Sequence, residues 1–267
     1  MADDEGLEDA VDDIVDAITS TSVEDSTVST VSVQGAEFVV EAGGSGPTLF
    51  LLIHGIGMGR RVFADLRAQL SAHGRVWAVD LPGYGEAAEP ARTPTLERFA
   101  DLIAELLESR GEERAVVIGH SMGAQIALEL AVRHPSLVSH LVLAGPTVDP
   151  AARSVSGQVA RLAQDLFVES PRVVVLGLRE YLRAGPHLRR KFRAMLVHHP
   201  EDVAPAATVP TLVLRGGDDY VSPRRWCEQL VALLPDGRLV EIDGHGHETF
   251  IRDAAPAASR ILEFTRD

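Results

Sequence analysis

The chain has 267 residues, 45% of them hydrophobic, and a mean hydropathy of +0.06, values typical of a soluble globular protein with one large α/β core or two small domains. Its formal charge of −14 is concentrated in residues 1–25, which carry ten acidic side chains and no basic one, so the remaining chain is nearly balanced and lacks the basic stripe of nucleic-acid-binding proteins. No apolar run approaches the roughly 18 residues that span a bilayer. From the charge distribution and the absence of such a run, we expect neither a nucleic acid nor a membrane as partner.

The N-terminal extension, residues 1–26, carries this acidic excess and also shows a periodic pattern. Five apolar side chains recur in it at helical spacing: Leu7, Val11, Ile14, Val15 and Ile18. The pattern fits two interpretations that remain open at this point. One is an amphipathic helix that docks on the body of the protein or on a second subunit of a homodimer, and the other is a solubilising tail.

Beyond the extension, strand-like and helix-like patterns alternate, which predicts an α/β fold with a mostly parallel sheet flanked by helices. A β-hairpin around Gly35 is predicted from two strands, 27–33 and 37–41. The further predicted strands are 48–53, 75–79, 115–118, 138–144, 211–215 and 238–242. The predicted helices are 62–72, 94–109, 122–133, 223–234 and 254–264.

Residues 147–207 interrupt this alternation between two predicted strands. They show the periodicity of several helices, with proline residues between them. A structureless connection of that length is uncommon in a compact domain. The sequence therefore predicts a core formed by residues 27–146 and 208–267, with 147–207 inserted as a helical cap at one end of the sheet.

The stretch VVIGHSMGAQIALEL places Ser121 between Gly119 and Gly123, at the junction of a buried strand and a buried helix. With 23 glycines in the chain, a Gly-x-Ser-x-Gly match arises by chance in roughly one chain in ten, so its context must decide its meaning. A tight turn from strand to helix forces its central residue into an uncommon backbone conformation and requires small neighbours. The hydroxyl of Ser121 then projects beside a helix N-terminus, the arrangement of a nucleophile elbow.

A serine hydroxyl becomes a good nucleophile only when a base removes its proton and a third group orients that base. We favour His247 as the base, in EIDGHGHETF just beyond the last predicted strand, with His245 as the rival. The carboxyl ends of parallel strands meet at one edge of a sheet, so Ser121 and His247 can meet there although they are far apart in the chain.

Three acidic side chains are candidates for the group that orients the base. Asp218 and Asp219 follow a predicted strand in LVLRGGDDYVSP, and Asp149 follows the strand LVLAG. Either member of the first pair could instead cap the helix that begins near Pro223. We favour Asp219 and keep Asp218 and Asp149 as alternatives.

The negative charge that develops on a substrate carbonyl oxygen requires two N–H donors, an oxyanion hole. One predicted donor is the backbone of Met122, directly after the nucleophile, and the other is that of Ile56 in the glycine-rich loop after TLFLLI. The same loop is not a dinucleotide-binding fingerprint, because Arg60 stands where that pattern requires glycine.

Five motifs occur in a fixed order along the chain: LLIHGIG, VDLPGYGE, VVIGHSMGA, LVLRGGDDYVSP and GHGHE. In this order they resemble the motifs of serine hydrolases of the α/β-hydrolase fold, across residues 28–265. The resemblance aligns Asp219 with the acid of that family and His247 with its histidine, and it implies a cap domain for 147–207. Ala87 departs from the family pattern, since relatives often have serine there.

The resemblance implies acyl transfer to water, and neither a metal nor a cofactor is required. We expect a small carboxylic ester or a lactone as the substrate, cleaved through an acyl-enzyme. A serine nucleophile argues against haloalkane dehalogenases and epoxide hydrolases of this fold, which use aspartate. The alternatives are a C–C bond (diketone) hydrolase, a thioesterase, and a non-catalytic small-molecule receptor with the same pocket.

The substrate site is expected to include His54 and Gly55 from the glycine-rich loop, and Phe167 and Met195 from the cap. These cap residues predict an apolar acyl pocket of moderate size. A basic cluster in the cap is interpreted as a solvated helix face rather than an anion site. It consists of Arg179, Arg183, Arg189, Arg190, Lys191 and Arg193.

Two features predict a cytoplasmic location. Cys227 is the only cysteine, so no internal disulfide can form, and it is expected to be a buried structural residue of a helix. The sequence begins Met-Ala-Asp-Asp-Glu, without the positive region and the apolar stretch of a signal peptide.

Overall fold

The computed structural model describes residues 26–154, 157, 161, 188–247, 249–251 and 253–266. Two sequence-based predictions therefore lie outside the described residues. They are the helix of the acidic extension, and the part of the cap that contains Phe167.

The core is an eight-stranded, mostly parallel sheet, as predicted. Its strands are β1 (Thr27–Val33), β2 (Ala36–Gly44), β3 (Leu49–Ile53), β4 (Arg75–Asp80), β5 (Ala115–His120), β6 (Val138–Ala144), β7 (Thr211–Gly216) and β8 (Gly237–Ile242). Their order in the sheet is β1-β2-β4-β3-β5-β6-β7-β8. Strand β2 is antiparallel to β1 and β4, whereas the pairs from β4 to β8 are all parallel.

Helices cover both faces of this sheet. They are α1 (Ala64–Ser71), α2 (Leu96–Ser109), α3 (Met122–Arg133), α4 (Leu188–Val197), α5 (Pro200–Val203), α6 (Arg224–Leu233) and α7 (Ala255–Phe264). One apolar cluster joins one face of the sheet to α2, α3 and α6, and a second joins the opposite face to α1 and α7. Because parallel strands are covered on both faces, β3 reads as a continuous apolar run, LFLLI, and all five of its residues are buried.

Helix α2 shows how the sequence sets these elements. Thr95 has an extended backbone and its hydroxyl accepts a hydrogen bond from the N–H of Arg98 at 3.2 Å, which caps the helix. The apolar residues of α2, including Phe99 and Ile103, recur at intervals of three and four and are buried against the sheet. Among the described residues, no helix combines the length and the apolar character needed to cross a membrane.

The predicted elements agree with the structure to within a few residues at each end. Two strands are longer than predicted: the second strand of the hairpin, predicted as 37–41, is Ala36–Gly44, and the strand that leads to Ser121, predicted to end at residue 118, continues to His120. Within the predicted cap, the described residues include α4 and α5. The parallel strands β3, β5, β7 and β8 all end at one edge of the sheet, and the segments that follow them carry the candidate site.

Candidate active site

Ser121 connects β5 directly to α3 and has φ 57° and ψ −118°, a backbone conformation that residues other than glycine rarely adopt. The flanking glycines allow this close passage. A Cβ atom on Gly119 would lie 2.2 Å from the carbonyl oxygen of Gly123, and one on Gly123 would lie 2.1 Å from that of Ile53. The turn therefore requires glycine two residues before and two residues after the serine.

His247 and Asp219 lie side by side beyond the ends of β8 and β7. Nδ1 of His247 lies 3.0 Å from Oδ2 of Asp219, and both side chains are buried. The other carboxylate oxygen, Oδ1, accepts a hydrogen bond from the backbone N–H of Ser222 at 2.7 Å. With a partner on each oxygen, the carboxylate is fixed in orientation.

The electrostatic environment favours the ionised form of Asp219. Burial by itself would raise the pKa of this carboxyl group, but the neighbouring His247, the N–H of Ser222 and the guanidinium of Arg215 outweigh it and lower the pKa. A buried carboxylate that stays ionised can stabilise a positive charge on the imidazole beside it.

The rival acids are placed differently. Asp149 is also fully buried, but its carboxylate lies 2.7 Å from Arg161 and 3.3 Å from Arg225, and these contacts help to lower its pKa against the effect of burial. The side chain of Asp218 is exposed. Of the three predicted candidates, the structure brings Asp219 to a histidine.

The rival histidine is likewise engaged elsewhere. The ring nitrogens of His245 lie 3.1 Å and 3.2 Å from the carbonyl oxygens of Asp243 and Asp253, on either side of the turn that carries it. His247 is therefore the histidine of this segment that reaches Asp219.

Ser121 and His247 are held against two consecutive residues at the end of β6. The backbone N–H of Ser121 donates to the carbonyl of Ala144 at 2.9 Å. The next residue, Gly145, packs against the imidazole of His247, because a Cβ atom there would lie 2.9 Å from two ring atoms. The ends of β5 and β6 thus bring the serine and the histidine to one place.

His120, which directly precedes Ser121, also contacts His247 and was not singled out from the sequence. Its Nε2–H donates to the carbonyl of His247 at 2.8 Å, and the two rings are 4.9 Å apart. Burial, followed by the nearby His247, lowers the pKa of His120 to about 3, so this ring is neutral at physiological pH. Its position directly before the elbow serine is the sequence signal that could have revealed it.

The loop after β3 packs against Ser121. A Cβ atom on Gly55 would lie 2.9 Å from Cβ of Ser121, so this backbone approaches the serine as closely as glycine permits. Ile56 follows directly and is half-buried. On the other side of the serine, Met122 is the first residue of α3, where a backbone N–H has no partner within its helix. The predicted donors, Ile56 and Met122, therefore flank Ser121 on two separate elements.

His54 holds this loop in place. Its ring is fully buried, Nε2 accepts a hydrogen bond from the N–H of Leu81 at 3.2 Å, and Nδ1–H donates to the carbonyl of Gly55 at 2.8 Å. Burial is the main cause that lowers the pKa of His54, and the ring is neutral. Both ring nitrogens are bonded to the backbone, so His54 helps to position the loop. The predicted contact of His54 with substrate stays a prediction.

Arg60, at the far end of the same loop, is a further residue that sequence reasoning did not assign. Its guanidinium pairs with the buried Asp80, and its backbone N–H also donates to that carboxylate at 2.5 Å. Asp80 accepts a third hydrogen bond, from the N–H of Glu86 at 3.0 Å. This buried pair joins the glycine-rich loop to the segment LPGYGE after β4.

The described cap residues depart in part from prediction. Arg189, Arg190 and Arg193 are exposed, as expected for a solvated helix face. Lys191, assigned to the same face, is buried, so the prediction is wrong for this residue. Met195 is 2% exposed and belongs to the apolar cluster on the α3 side of the sheet, and its contact with substrate stays a prediction.

The comparison with known proteins decides the family. Residues 50–259 match the alpha/beta hydrolase family. The chain belongs to this family. The resemblance drawn from the five motifs is thereby confirmed, and so is the predicted fold class, since the eight-stranded sheet with helices on both faces is the architecture of an alpha/beta hydrolase.

Proteins similar to this alpha/beta hydrolase include an esterase related to it in sequence, and an esterase and a lactonase whose solved structures share its fold. The pimeloyl-[acyl-carrier protein] methyl ester esterase of Aromatoleum aromaticum is 31% identical over 255 residues, which cover 81% of this chain and 97% of that protein. The thermophilic esterase from Thermogutta terrifontis has a TM-score of 0.74 at 24% identity, covering 90% of this chain and 98% of the esterase. The enol-lactonase from Burkholderia xenovorans LB400 has a TM-score of 0.76 at 22% identity, covering 90% and 100%.

Proposed function

We propose that this protein is a serine hydrolase that cleaves a carboxylic ester or a lactone through an acyl-enzyme intermediate. The observation that carries the proposal is the buried pair of His247 and Asp219, 3.0 Å apart, at the sheet edge where Ser121 occupies a strained turn. The relatives support its ester-cleaving part, since they include a methyl ester esterase and a thermophilic esterase. The activities of these proteins match the predicted enzyme class, an α/β-hydrolase that acts on ester bonds.

In the proposed reaction, Oγ of Ser121 attacks the carbonyl carbon of the substrate while its proton passes to Nε2 of His247. Asp219 holds the opposite nitrogen, Nδ1, and stabilises the imidazolium that forms. The tetrahedral intermediate then collapses, His247 returns the proton to the leaving alkoxide, and an acyl-enzyme remains. Water, activated by the same histidine, hydrolyses the acyl-enzyme and restores Ser121.

The backbone N–H groups of Ile56 and Met122 are the proposed donors to the oxyanion. Met122 N–H lies at the N-terminus of α3, where the helix dipole also favours negative charge. Removing one such donor costs about 3 kcal/mol of transition-state stabilisation in comparable enzymes. Gly55, packed on the serine, sets the approach of the loop and borders the proposed substrate site.

Substrate selection is proposed to lie in the cap, residues 147–207, inserted into a core of 27–146 and 208–267. Triad chemistry is indifferent to the groups that flank the carbonyl, so discrimination must come from the surfaces that line the approach to Ser121. Phe167 and Met195 are the proposed apolar lining. Met195 lies on α4 and accepts a hydrogen bond at its carbonyl from Gln125, one helical turn beyond the nucleophile.

A panel of chromogenic esters with acyl chains of increasing length, together with a simple lactone, tests this function. We expect hydrolysis of the esters or the lactone, and Phe167→Ala or Met195→Ala should alter the ranking of chain lengths more than the rate on the shortest ester. An unaltered ranking in both variants would place selection outside the cap.

The same assay separates the competing functions. Preference for a thioester or a diketone over every ester would assign the protein to one of those reactions instead. Tight binding of the substrates with no turnover by the wild-type protein would indicate a receptor and refute the proposed function.

A further inference from the structure

Lys191 is the only lysine in the chain, against 24 arginines, and its side chain is 1% exposed. It lies on α4, in the predicted cap, and reaches the segment after β4. Its ammonium group contacts the carbonyl of Gly83, lies 2.8 Å from a carboxylate oxygen of Glu89, and sits 4.3 Å above the centre of the Tyr84 ring. A carbonyl, a carboxylate and an aromatic face therefore surround one buried cation.

This arrangement is a specific attachment between two parts of the protein. Burying an ammonium group is costly unless hydrogen bonds and an opposite charge compensate it, and Lys191 has both together with a cation–π contact. The conformation of the segment that binds the ammonium group, residues 83–89, depends on glycine at position 83. Gly83 has a φ of +81°, and a Cβ atom there would lie 2.6 Å from the carboxylate of Glu89.

The ring beneath Lys191 leads to the nucleophile. Tyr84 is 3% exposed, and its hydroxyl donates to Sδ of Met122 at 3.5 Å. The ring also meets that of His54 edge to face, with centroids 5.2 Å apart. Met122 provides one proposed oxyanion donor, and His54 positions the loop that provides the other, Ile56. Both Met122 and His54 pack on Tyr84. The charge of Lys191 adds to the lowering of the pKa of His54 by burial.

We infer that Lys191 is a positioning residue that couples the docking of α4 to the geometry of the oxyanion hole through Tyr84. With the ammonium in place, Lys191 of α4 covers one face of the Tyr84 ring, and Tyr84 in turn packs against Met122 and His54. When the attachment is released, the ring loses that restraint and the two N–H donors lose their fixed spacing. The inference rests on the proposed function.

A second attachment keeps α4 in place when Lys191 is changed. At the C-terminal end of the helix, the side chain of Gln125 donates to the carbonyl of Met195 at 3.2 Å and to Nδ1 of His198 at 3.1 Å. Nε2–H of His198 in turn donates to Glu129 at 2.8 Å. Because these contacts join α4 to α3 independently, a change at Lys191 alone should loosen one end of the helix without unfolding the protein.

The first test compares Lys191→Met with Lys191→Arg, and with Arg190→Met as the matched control on the exposed face of the same helix. On a short-chain ester we expect Lys191→Met to lower kcat by about tenfold or more with KM within about twofold, the signature of an interaction made in the transition state. Lys191→Arg, which keeps the cation, should recover much of the rate, and Arg190→Met should match the parent. A folded Lys191→Met variant with the parent kcat would overturn the inference.

The second test uses the unmodified protein and so does not depend on whether a variant folds. Phenylboronic acid mimics the oxyanion state, because the oxygen of Ser121 donates an electron pair to boron and its proton passes to His247, which leaves an anionic tetrahedral boronate. Coupling is reciprocal, so this adduct should tighten the Lys191 attachment. The rate of reductive methylation of Lys191 should therefore be several-fold lower with phenylboronic acid bound. Peptide mass spectrometry measures this rate, with the N-terminal amine as internal reference.

Equal methylation of Lys191 with and without phenylboronic acid would contradict the coupling, provided that the inhibitor has blocked hydrolysis in the same sample. Failure of the proposed function would look different. In that case the wild-type protein would hydrolyse none of the esters or the lactone, and phenylboronic acid would have no activity to inhibit.

Discussion

Asp219 and His247 form a buried pair, with 3.0 Å between the carboxylate and Nδ1, whereas the equally buried Asp149 is held by two arginines. The two acids follow neighbouring strands and neither is exposed. Their partners, rather than their burial, distinguish a candidate catalytic acid from a structural one.

The first prediction compares these acids. Asp219→Asn should lower kcat by about three to four orders of magnitude, because the amide cannot hold the imidazole in the reactive tautomer or stabilise its charge. Asp149→Asn should leave kcat near the parent value and lower the melting temperature, since it weakens the ion pairs of this buried carboxylate with Arg161 and Arg225. Asp218→Asn, on an exposed side chain, should change neither. Equal losses of activity at 218 and 219 would refute the assignment.

A second prediction concerns the glycines of the site. Gly123→Ala should destabilise the fold by about 3 kcal/mol or more, because its Cβ would lie 2.1 Å from the backbone oxygen of Ile53. Gly217→Ala is the matched control at the same edge of the sheet, since the nearest atom there is 3.6 Å away. Urea unfolding of both variants measures the difference, and a Gly123→Ala protein as stable as the control would contradict the close contact between Gly123 and Ile53.

The third prediction concerns pH. The pKa of His120 is lowered from 6.5 to about 3 in the folded protein, so only the unfolded chain binds this proton as the pH falls below 6.5. Stability should therefore decrease on acidification, by up to about 1.4 kcal/mol per pH unit from this group alone. His120→Gln should show a shallower loss between pH 6.5 and about 4.5 in urea unfolding. His73→Gln, on an exposed side chain, should keep the parental slope, and the assignment fails if both variants behave alike.

Deletion of residues 1–25 provides a fourth prediction. The motifs of the site all lie beyond this segment, so specific activity should stay within a few-fold of the parent. Losing ten negative charges should instead change solubility or oligomeric state, which light scattering coupled to size-exclusion chromatography measures. A folded but inactive truncation would show that the extension contributes to the active site.

Much of the fold was predictable because its signals are local. The apolar run of β3, the capped and periodic α2, and the glycines around Ser121 each carry their structure within a short stretch of sequence. The parallel arrangement then follows from the alternation of strands and helices. It brings the loops that carry Ser121, Asp219 and His247 to one edge of the sheet.

The unpredicted features depend on partners distant in sequence. Lys191 lies within a run of arginines, and only the fold shows that it turns inward to Glu89 and Tyr84 while Arg190 faces solvent. Its status as the only lysine was the one sequence signal. Asp149 could be set aside as the acid only once its pairing with Arg161 and Arg225 was known.

The most direct test of the central claim is to locate the residue modified by a serine-directed phosphorylating agent, such as diethyl p-nitrophenyl phosphate. We predict release of about one equivalent of p-nitrophenolate per protein, in step with the loss of ester hydrolysis, and a single adduct on Ser121 by peptide mass. Ser121→Ala should remain folded, form no adduct and lose activity by several orders of magnitude. An adduct on another residue, or a Ser121→Ala variant that keeps more than about a tenth of the parental rate, would contradict the assignment of Ser121 as the nucleophile.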